Sequence, residues 1–400
     1  MLKKTSMILT IFLLFASFGL HSRSFNPGTW KFELKTTHGT VPFIIHISNT
    51  KDKFSAVLQN GGEKIPLEVK LSDTGISIPI QSFELSLELN YPQNGVMYGH
   101  LVRHNKNPKL KTPVSATWGK LTRFQEVDAP PTVDLTGKWS VTLTHESSEK
   151  EKGVLIFKQH KNKIEGSILT PTGDYRYMEG IVTENKFMAA SFDGVYNYLF
   201  TGEIIDGKIK AEILNSYKTQ VEGIRDDKAA LPDAYAQTKV SSLKFEFPDV
   251  FGKKVNLKDE KFKNKPVIIQ IFGSWCPNCL DEMNFLIQWS SKNSNRPIEI
   301  LALAFERSLD TKGAKAQLLK TYKKYQIPYT VLLAGSTSED KPMEKLKGLK
   351  NFISFPTTIF LNKNHEVVKV HTGFSGPSTG EYYDKWKNEF NTIVNELLKK

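Results

Sequence analysis

Two periodicities divide the chain. Residues 25–237 alternate apolar and polar side chains in short runs. Examples are Trp30-Lys31-Phe32-Glu33-Leu34-Lys35, Phe83-Glu84-Leu85-Ser86-Leu87-Glu88-Leu89 and Trp139-Ser140-Val141-Thr142-Leu143-Thr144. A period of two, with Gly, Asn and Asp between runs, predicts antiparallel strands with one buried face. Beyond residue 238 the pattern changes. A β-rich apolar run over 267–272 gives way to helical spacing. Residues 298–305 read as the next buried strand, 312–325 as a Lys-rich helix, and 329–333 as a strand. Residues 357–361 with 367–370 read as a hairpin, and 381–398 as a closing helix. Strands alternating with helices predict a mixed α/β sheet, so the whole is expected to be an α+β multidomain chain.

The alternating region looks duplicated. Pro27-Gly28-Thr29-Trp30 opens one half, and Thr136-Gly137-Lys138-Trp139 opens another 109 residues later. The halves close alike, with Trp118-Gly119-Lys120-Leu121-Thr122-Arg123 and Val221-Glu222-Gly223-Ile224-Arg225. The expected division is a β-rich module over 25–126, a second over 127–237, each barrel- or sandwich-like, and an α/β domain over 238–400. The joint between modules falls in 125–134, around Pro130-Pro131. Residues 226–239 connect to the last domain and are short enough to dock against it rather than swing freely.

The first 24 residues carry Lys3 and Lys4 ahead of some 14 mostly apolar residues, Met7 to Leu20. That is short for a spanning helix and right for an export signal, with small residues from Ala16 to Gly19 as cleavage sites. An uncleaved N-terminal anchor is the alternative. No Cys follows the apolar run, which excludes a lipoprotein signal. The expected location is periplasmic or cell-envelope. The formal net charge is +12. Its lysines are spread along the chain, so a solvated basic surface is the default reading, with loose association with anionic membrane surfaces as the functional one. No nucleic-acid-binding motif accompanies the charge.

The chain has two cysteines, Cys276 and Cys279. They sit where the apolar run ends and the helical pattern starts, in Gly273-Ser274-Trp275-Cys276-Pro277-Asn278-Cys279. Disulfide exchange needs a thiolate, and a helix N-terminus lowers a thiol's pKa through its unpaired N–H groups and dipole. Cys276 at the helix start is the expected attacking thiol, and Cys279, one turn deeper, the resolving one. Pro277 suits an early helical position because it lacks an N–H. A metal site would need ligands beyond this pair, and the only close histidines are His100 and His104, so no metal is expected. A structural disulfide closing so short a loop adds little stability.

The motif after a buried strand resembles the thioredoxin superfamily, in particular its extracytoplasmic TlpA/ResA-like branch. The approach segment Phe247 to Leu257 is similar to that branch's entry hairpin. The resemblance implies a C-terminal thioredoxin-like α/β domain and a thiol-disulfide oxidoreductase that needs no bound cofactor. It implies proton handling by Glu282, three residues after Cys279. Thioredoxin's own buried Asp has Gln270 at its position here, which cannot titrate. Burial of Glu282 would raise its pKa toward that task; a solvated surface Glu is the alternative. Residues 354–360 resemble the cis-proline segment. Pro356 by itself reads as a trans proline opening a strand. The resemblance implies instead a cis bond that sets the backbone of Phe355 beside the thiols for an extended substrate segment. Trp275 is expected to shield the pair, and with Phe355 and Pro277 to line the substrate surface. Relatives have a proline where this chain has Asn284, so a straighter helix is expected.

Gly173-Asp174-Tyr175-Arg176-Tyr177 and Ser191-Phe192-Asp193-Gly194 resemble motifs in the long β-rich N-terminal regions of some TlpA-like proteins. Asp174 and Arg176 either line a ligand pocket or, more plainly, are a turn Asp and an Arg packed over Tyr rings. The implied partners are protein disulfide substrates and a membrane electron-donor protein, because the chain has no third cysteine to pass electrons on. Pro277-Asn278 between the thiols adds no charge, which favours a reductant, and analogy within the branch points to cytochrome c maturation and cell redox homeostasis. Two other readings stand beside this one. In one, the β modules bind a ligand and the thiols sense redox state. In the other, the chain is a peroxiredoxin-like peroxidase, although the position of that group's threonine is occupied by Gly273.

Overall fold

The computed structural model describes residues 25–399 except 52, 81–82, 126–128 and 232–238. The export signal or anchor read in residues 1–24 therefore lies outside the described residues, as does half of the connector. Among the described residues no helix is long and apolar enough to cross a membrane.

The alternating runs form two barrel-like antiparallel sheets. The first extends from the strand Gly28–Lys35 to the strand Leu110–Trp118. Its nine strands, counted along the chain, lie side by side in the order 4-3-2-1-9-8-7-6-5. The order ends at the fourth strand, Glu63–Glu68, and the two-residue fifth, Lys70–Leu71; beyond the fifth, the fourth and the sixth, Ile76–Ile80, approach each other across a seam that is unpaired among the described residues. Inward positions are filled by Phe32, Phe43, Ile45, Leu58, Ile78, Leu87 and Met97. The second sheet extends from Gly137–His145 to Lys218–Arg225 and closes completely. Eight of its strands form a ring because Lys150–His160 pairs with both Gly137–His145 and Lys163–Thr170. Eight strands is the size at which side chains alone fill the interior, here Trp139, Leu155, Phe157, Phe187 and Phe200. The two-residue strand Gly173–Asp174 hangs on its rim, paired with Leu169 and Thr170.

The repeated Gly-x-Trp has the same structure in both barrels. Trp30 is buried and donates its indole N–H to Asn26 O at 3.1 Å; Trp139 donates to Leu135 O at 3.1 Å. Each ring closes one barrel end while its polar atom meets a carbonyl four residues back. The closing arginines diverge. Arg225 covers the Trp139 ring, whereas Arg123 is buried and donates to Ala190 O of the second barrel at 2.7 Å. Its Nε also pairs with Glu179 at 2.9 Å. The barrels are joined further by Phe43 stacked on Phe192, centroids 3.8 Å apart. The Asn60 side chain exchanges hydrogen bonds with the Phe192 backbone at 2.7 and 3.1 Å.

The C-terminal part is a five-stranded sheet. Its strands lie in the order Thr330–Gly335, Glu299–Phe305, Val267–Phe272, Thr357–Leu361, Val367–Thr372. The first three are parallel and the last two antiparallel. Val267–Phe272 is central and buried at every position, which explains its apolar run. The helices Pro277–Lys292 and Glu381–Lys399 cover one face, meeting through edge-on contacts of Phe285 and Trp289 with Phe390. Leu243, Val255, Leu257, Phe262, Leu346 and Leu349 cover the other. The entry hairpin pairs Phe247–Pro248 with Lys254–Val255. The active-site helix runs unbroken through Asn284. The described start of the connector is docked: Ala229 is buried against Val154 and Leu169, and Tyr382 donates its hydroxyl proton to Ala229 O.

Candidate active site

The central strand ends at Gly273, where a Cβ would overlap the Trp275 indole nitrogen, so the chain turns at a residue without one. The helix then begins. Cys276 is its N-cap, in extended conformation, and Pro277 opens the first turn. The Cys279 N–H points at Cys276 Sγ at 3.3 Å, and the two sulfurs are joined as a disulfide. Cys276 retains 4% exposure and Cys279 none. Both cysteines are thus buried, Cys279 completely.

Glu282 lies one turn behind, fully buried. It accepts from Thr358 Oγ1 at 2.6 Å and from Gln270 Nε2 at 2.8 Å, and the same Gln270 amide donates to Cys279 O at 3.2 Å. Loss of water pushes its pKa up to about 7, against the pull of both hydrogen bonds. The solvated-surface alternative for Glu282 does not hold. In front of the thiols, the Phe355–Pro356 bond is cis, and Phe355 O lies 3.8 Å from Cys276 Sγ. Trp275 donates its indole N–H to Phe305 O at 2.7 Å and meets the Phe355 ring edge-on at 5.2 Å. Pro277 is buried.

Sequence reasoning missed a second buried carboxyl. Glu306 receives the Ser274 hydroxyl at 2.7 Å and the Ser274 N–H at 3.2 Å, beneath the turn that carries Trp275. Burial pushes it to about 7 as well. The adjacent Arg307 guanidinium lies 3.2 Å from the Trp275 ring centre. A charged pair closing a run of buried residues, Glu306-Arg307 after 299–305, was the available signal.

Asp174 and Arg176 form neither a ligand pocket nor a cation over tyrosines. Tyr175 packs at a tilt against Tyr198 instead, with ring centroids 5.1 Å apart. Arg176, at φ 58° and buried, pairs with Glu63 of the first barrel, Asp193 of the second at 3.1 Å, and Asp281 of the active-site helix. A lone arginine on a strand gives no sign of such distant partners. The turn role of Asp174 is present, since it receives the Arg176 N–H at 2.6 Å. It also receives Gly376 N–H at 2.6 Å and the Ser378 hydroxyl at 3.3 Å. Its own carbonyl accepts from Asn278 Nδ2 at 3.0 Å. Asn278, between the two cysteines, thus ties the dithiol turn to the second barrel.

A dithiol capping the helix that follows a central strand, faced by a cis-proline loop, defines a thioredoxin-like domain. Comparison with known proteins shows what this domain is similar to. Residues 235–385 match the Redoxin family. Thiol-disulfide oxidoreductase ResA of Bacillus thuringiensis subsp. konkukian is 29% identical over 129 residues, 32% of this chain and 66% of the relative. ResA of Bacillus subtilis is 27% identical over 129 residues, 32% of this chain and 64% of the relative. An uncharacterized protein of Haemophilus influenzae is 25% identical over 146 residues, covering 36% and 85%. Among solved structures, a thioredoxin-family thiol:disulfide interchange protein of Chlorobium tepidum is 20% identical, with a TM-score of 0.30, covering 40% of this chain and 97% of its own. The chain is thus similar to ResA proteins over its C-terminal part, behind a long β-rich N-terminal region, and it spans just under two thirds of the length of these two ResA proteins.

Proposed function

We propose that the protein is an exported thiol-disulfide oxidoreductase that reduces disulfides of other proteins. The observation that carries this reading is the Cys276–Cys279 pair at a helix N-terminus, with buried Glu282 behind it and Phe355–Pro356 in front. In the reduced form the Cys276 thiolate attacks a substrate sulfur. A mixed disulfide forms and one substrate thiolate leaves. Cys279 gives its proton toward Glu282 and attacks Cys276 Sγ, which releases the second substrate thiolate. Two electrons have then passed to the substrate, and the chain is left as the disulfide described above. A reduced partner restores it by the reverse steps; a membrane electron donor fits an exported chain with no third cysteine. Glu282, near pKa 7, accepts and returns the proton without leaving a permanent buried charge. Trp275 and Phe355, both partly exposed, form the surface that an extended substrate segment meets, and Pro277, which is buried, lies outside it.

The test is the reduction potential of the pair in the full chain, set against dithiothreitol or glutathione. A value near roughly −270 mV supports the reductant. A value near roughly −120 mV makes the chain an oxidant and reverses the direction of electron flow. A pair that does not cycle removes the oxidoreductase reading.

A further inference from the structure

The second barrel reaches the dithiol directly. Its rim segment, residues 171–176, touches three pieces of chain that surround the disulfide. Asn278 binds Asp174 O at 3.0 Å on the helix side. Ser354, next to Phe355, donates its hydroxyl proton to Thr172 O at 3.3 Å on the cis-proline side. Gly376 and Ser378 bind the Asp174 carboxylate on the third side. The packing leaves no slack. Gly173, at φ 138°, has no room for a Cβ against Asn278 Nδ2, and a Cβ on Gly373 would sit 2.9 Å from Pro171 O. Arg176 fixes the segment from behind through Glu63, Asp193 and Asp281. A protein disulfide must approach Cys276 over this same surface, with an extended segment running beside the cis-proline.

We propose that residues 171–176 are a built-in plug. They lie where a protein substrate must lie, and they withdraw before one is admitted. This rests on the oxidoreductase reading above and adds its regulation. Small disulfides need far less of the surface and pass without withdrawal. Protein substrates see only the undocked fraction of the chain, so their apparent rate is reduced by that fraction. The lock is ionic and joins both barrels to the active-site helix, so any contact that repositions the barrels also sets access to the thiols.

The experiment uses the full reduced chain. Rates are measured with insulin as protein disulfide and with bis(2-hydroxyethyl) disulfide as small one. Arg176→Gln is expected to raise the insulin rate about tenfold or more, leaving the small-disulfide rate within about twofold, because only the docked fraction changes. Equal changes with both reagents, or none with either, overturn the plug. If Arg176→Gln does not fold, the Cys279→Ala chain carries the test. It is loaded at Cys276 with an extended cysteine peptide or with β-mercaptoethanol. The Gly376 and Arg176 N–H groups, both held by Asp174, should lose hydrogen-exchange protection with the peptide alone. Equal protection in both adducts overturns the plug. A wild-type chain that reduces insulin as fast as the small disulfide defeats the plug and leaves the oxidoreductase reading standing. A chain that reduces neither defeats both.

Discussion

Glu282→Gln isolates the carboxyl behind the thiols. The shape is kept, and Thr358 still has an oxygen to donate to. Gln270 must turn its amide over, because its Nε2 would otherwise face the new NH2 group. Its Oε1, which has no partner at present, then accepts, and Cys279 O loses its donor. The larger effect is electrostatic. Moving a carboxyl from 4.5 to about 7 means that the ionised folded form is disfavoured by about 3 kcal/mol. The sign follows from proton counts. Between those two values the folded chain holds a proton that the unfolded chain has lost. Stability therefore falls as pH rises through the window, by about 1.4 kcal/mol per pH unit for one proton, and is flat above it. The substituted amide carries no such proton, so the variant should gain on the wild type across the window. By pH 8 it should be the more stable by about 3 kcal/mol, less about 1 kcal/mol for the lost hydrogen bond to Cys279. Glu306 and Asp281, both raised by burial to about 7, and Asp193, to about 6, keep their own slopes. The wild-type slope should thus fall by one proton and not to zero. Native-state hydrogen exchange at the amides of Val267–Phe272, from pH 5 to 8 on the oxidised chain, reads this without assuming that barrels and sheet unfold together. Identical slopes in the two chains would mean that Glu282 is ionised throughout and does not hold the proton assigned to it.

Cys276→Ser should abolish insulin reduction, while Cys279→Ser should accumulate mixed disulfides at Cys276, the adducts being visible by mass spectrometry under non-reducing conditions. Ser274→Ala removes a hydroxyl donor to Glu306 and leaves the thiols untouched; it should cost about 1–3 kcal/mol by the same exchange measurement and push Glu306 higher still. Phe192→Ala empties the space against Phe43 and should destabilise the joint between the barrels by about 3–5 kcal/mol, read as faster exchange at Phe192 and its neighbours. Arg123→Ala takes the cation from Glu179 and a donor from the oxygens of Gln59, Asn60 and Ala190, and should cost about 3–5 kcal/mol with no change in small-disulfide kinetics.

Local chemistry was the legible part of this sequence. The cysteine spacing, the proline after Cys276 and the apolar run ahead of it are all determined within a few residues of one another. The strand alternation and the twice-used Trp are likewise local, because each indole bonds four residues back. The site's surroundings are of another kind. Glu63, Arg176, Asp193 and Asp281 meet only because three sheets pack together, and no periodicity links positions so far apart. Asn278 illustrates the limit. Between two cysteines it reads as an uncharged spacer, and its partner is a backbone carbonyl contributed by the second barrel. Glu306 was hidden for a different reason: a carboxylate after a strand is ordinarily solvated, whereas this one is buried with Ser274 as its donor.

The seam of the first barrel bears on how copies of the chain meet one another. An uncovered sheet edge is a template on which another molecule can add a strand. The two longer strands that border the seam each carry a proline, Pro66 in Glu63–Glu68 and Pro79 in Ile76–Ile80. Each lacks a backbone N–H, so neither border offers an unbroken row of donors. On the first of them the outward positions are Lys64, Pro66 and Glu68, opposite charges either side of the break. Of its two antiparallel barrels the protein has thereby closed one completely and made the remaining opening in the other a poor seed for aggregation.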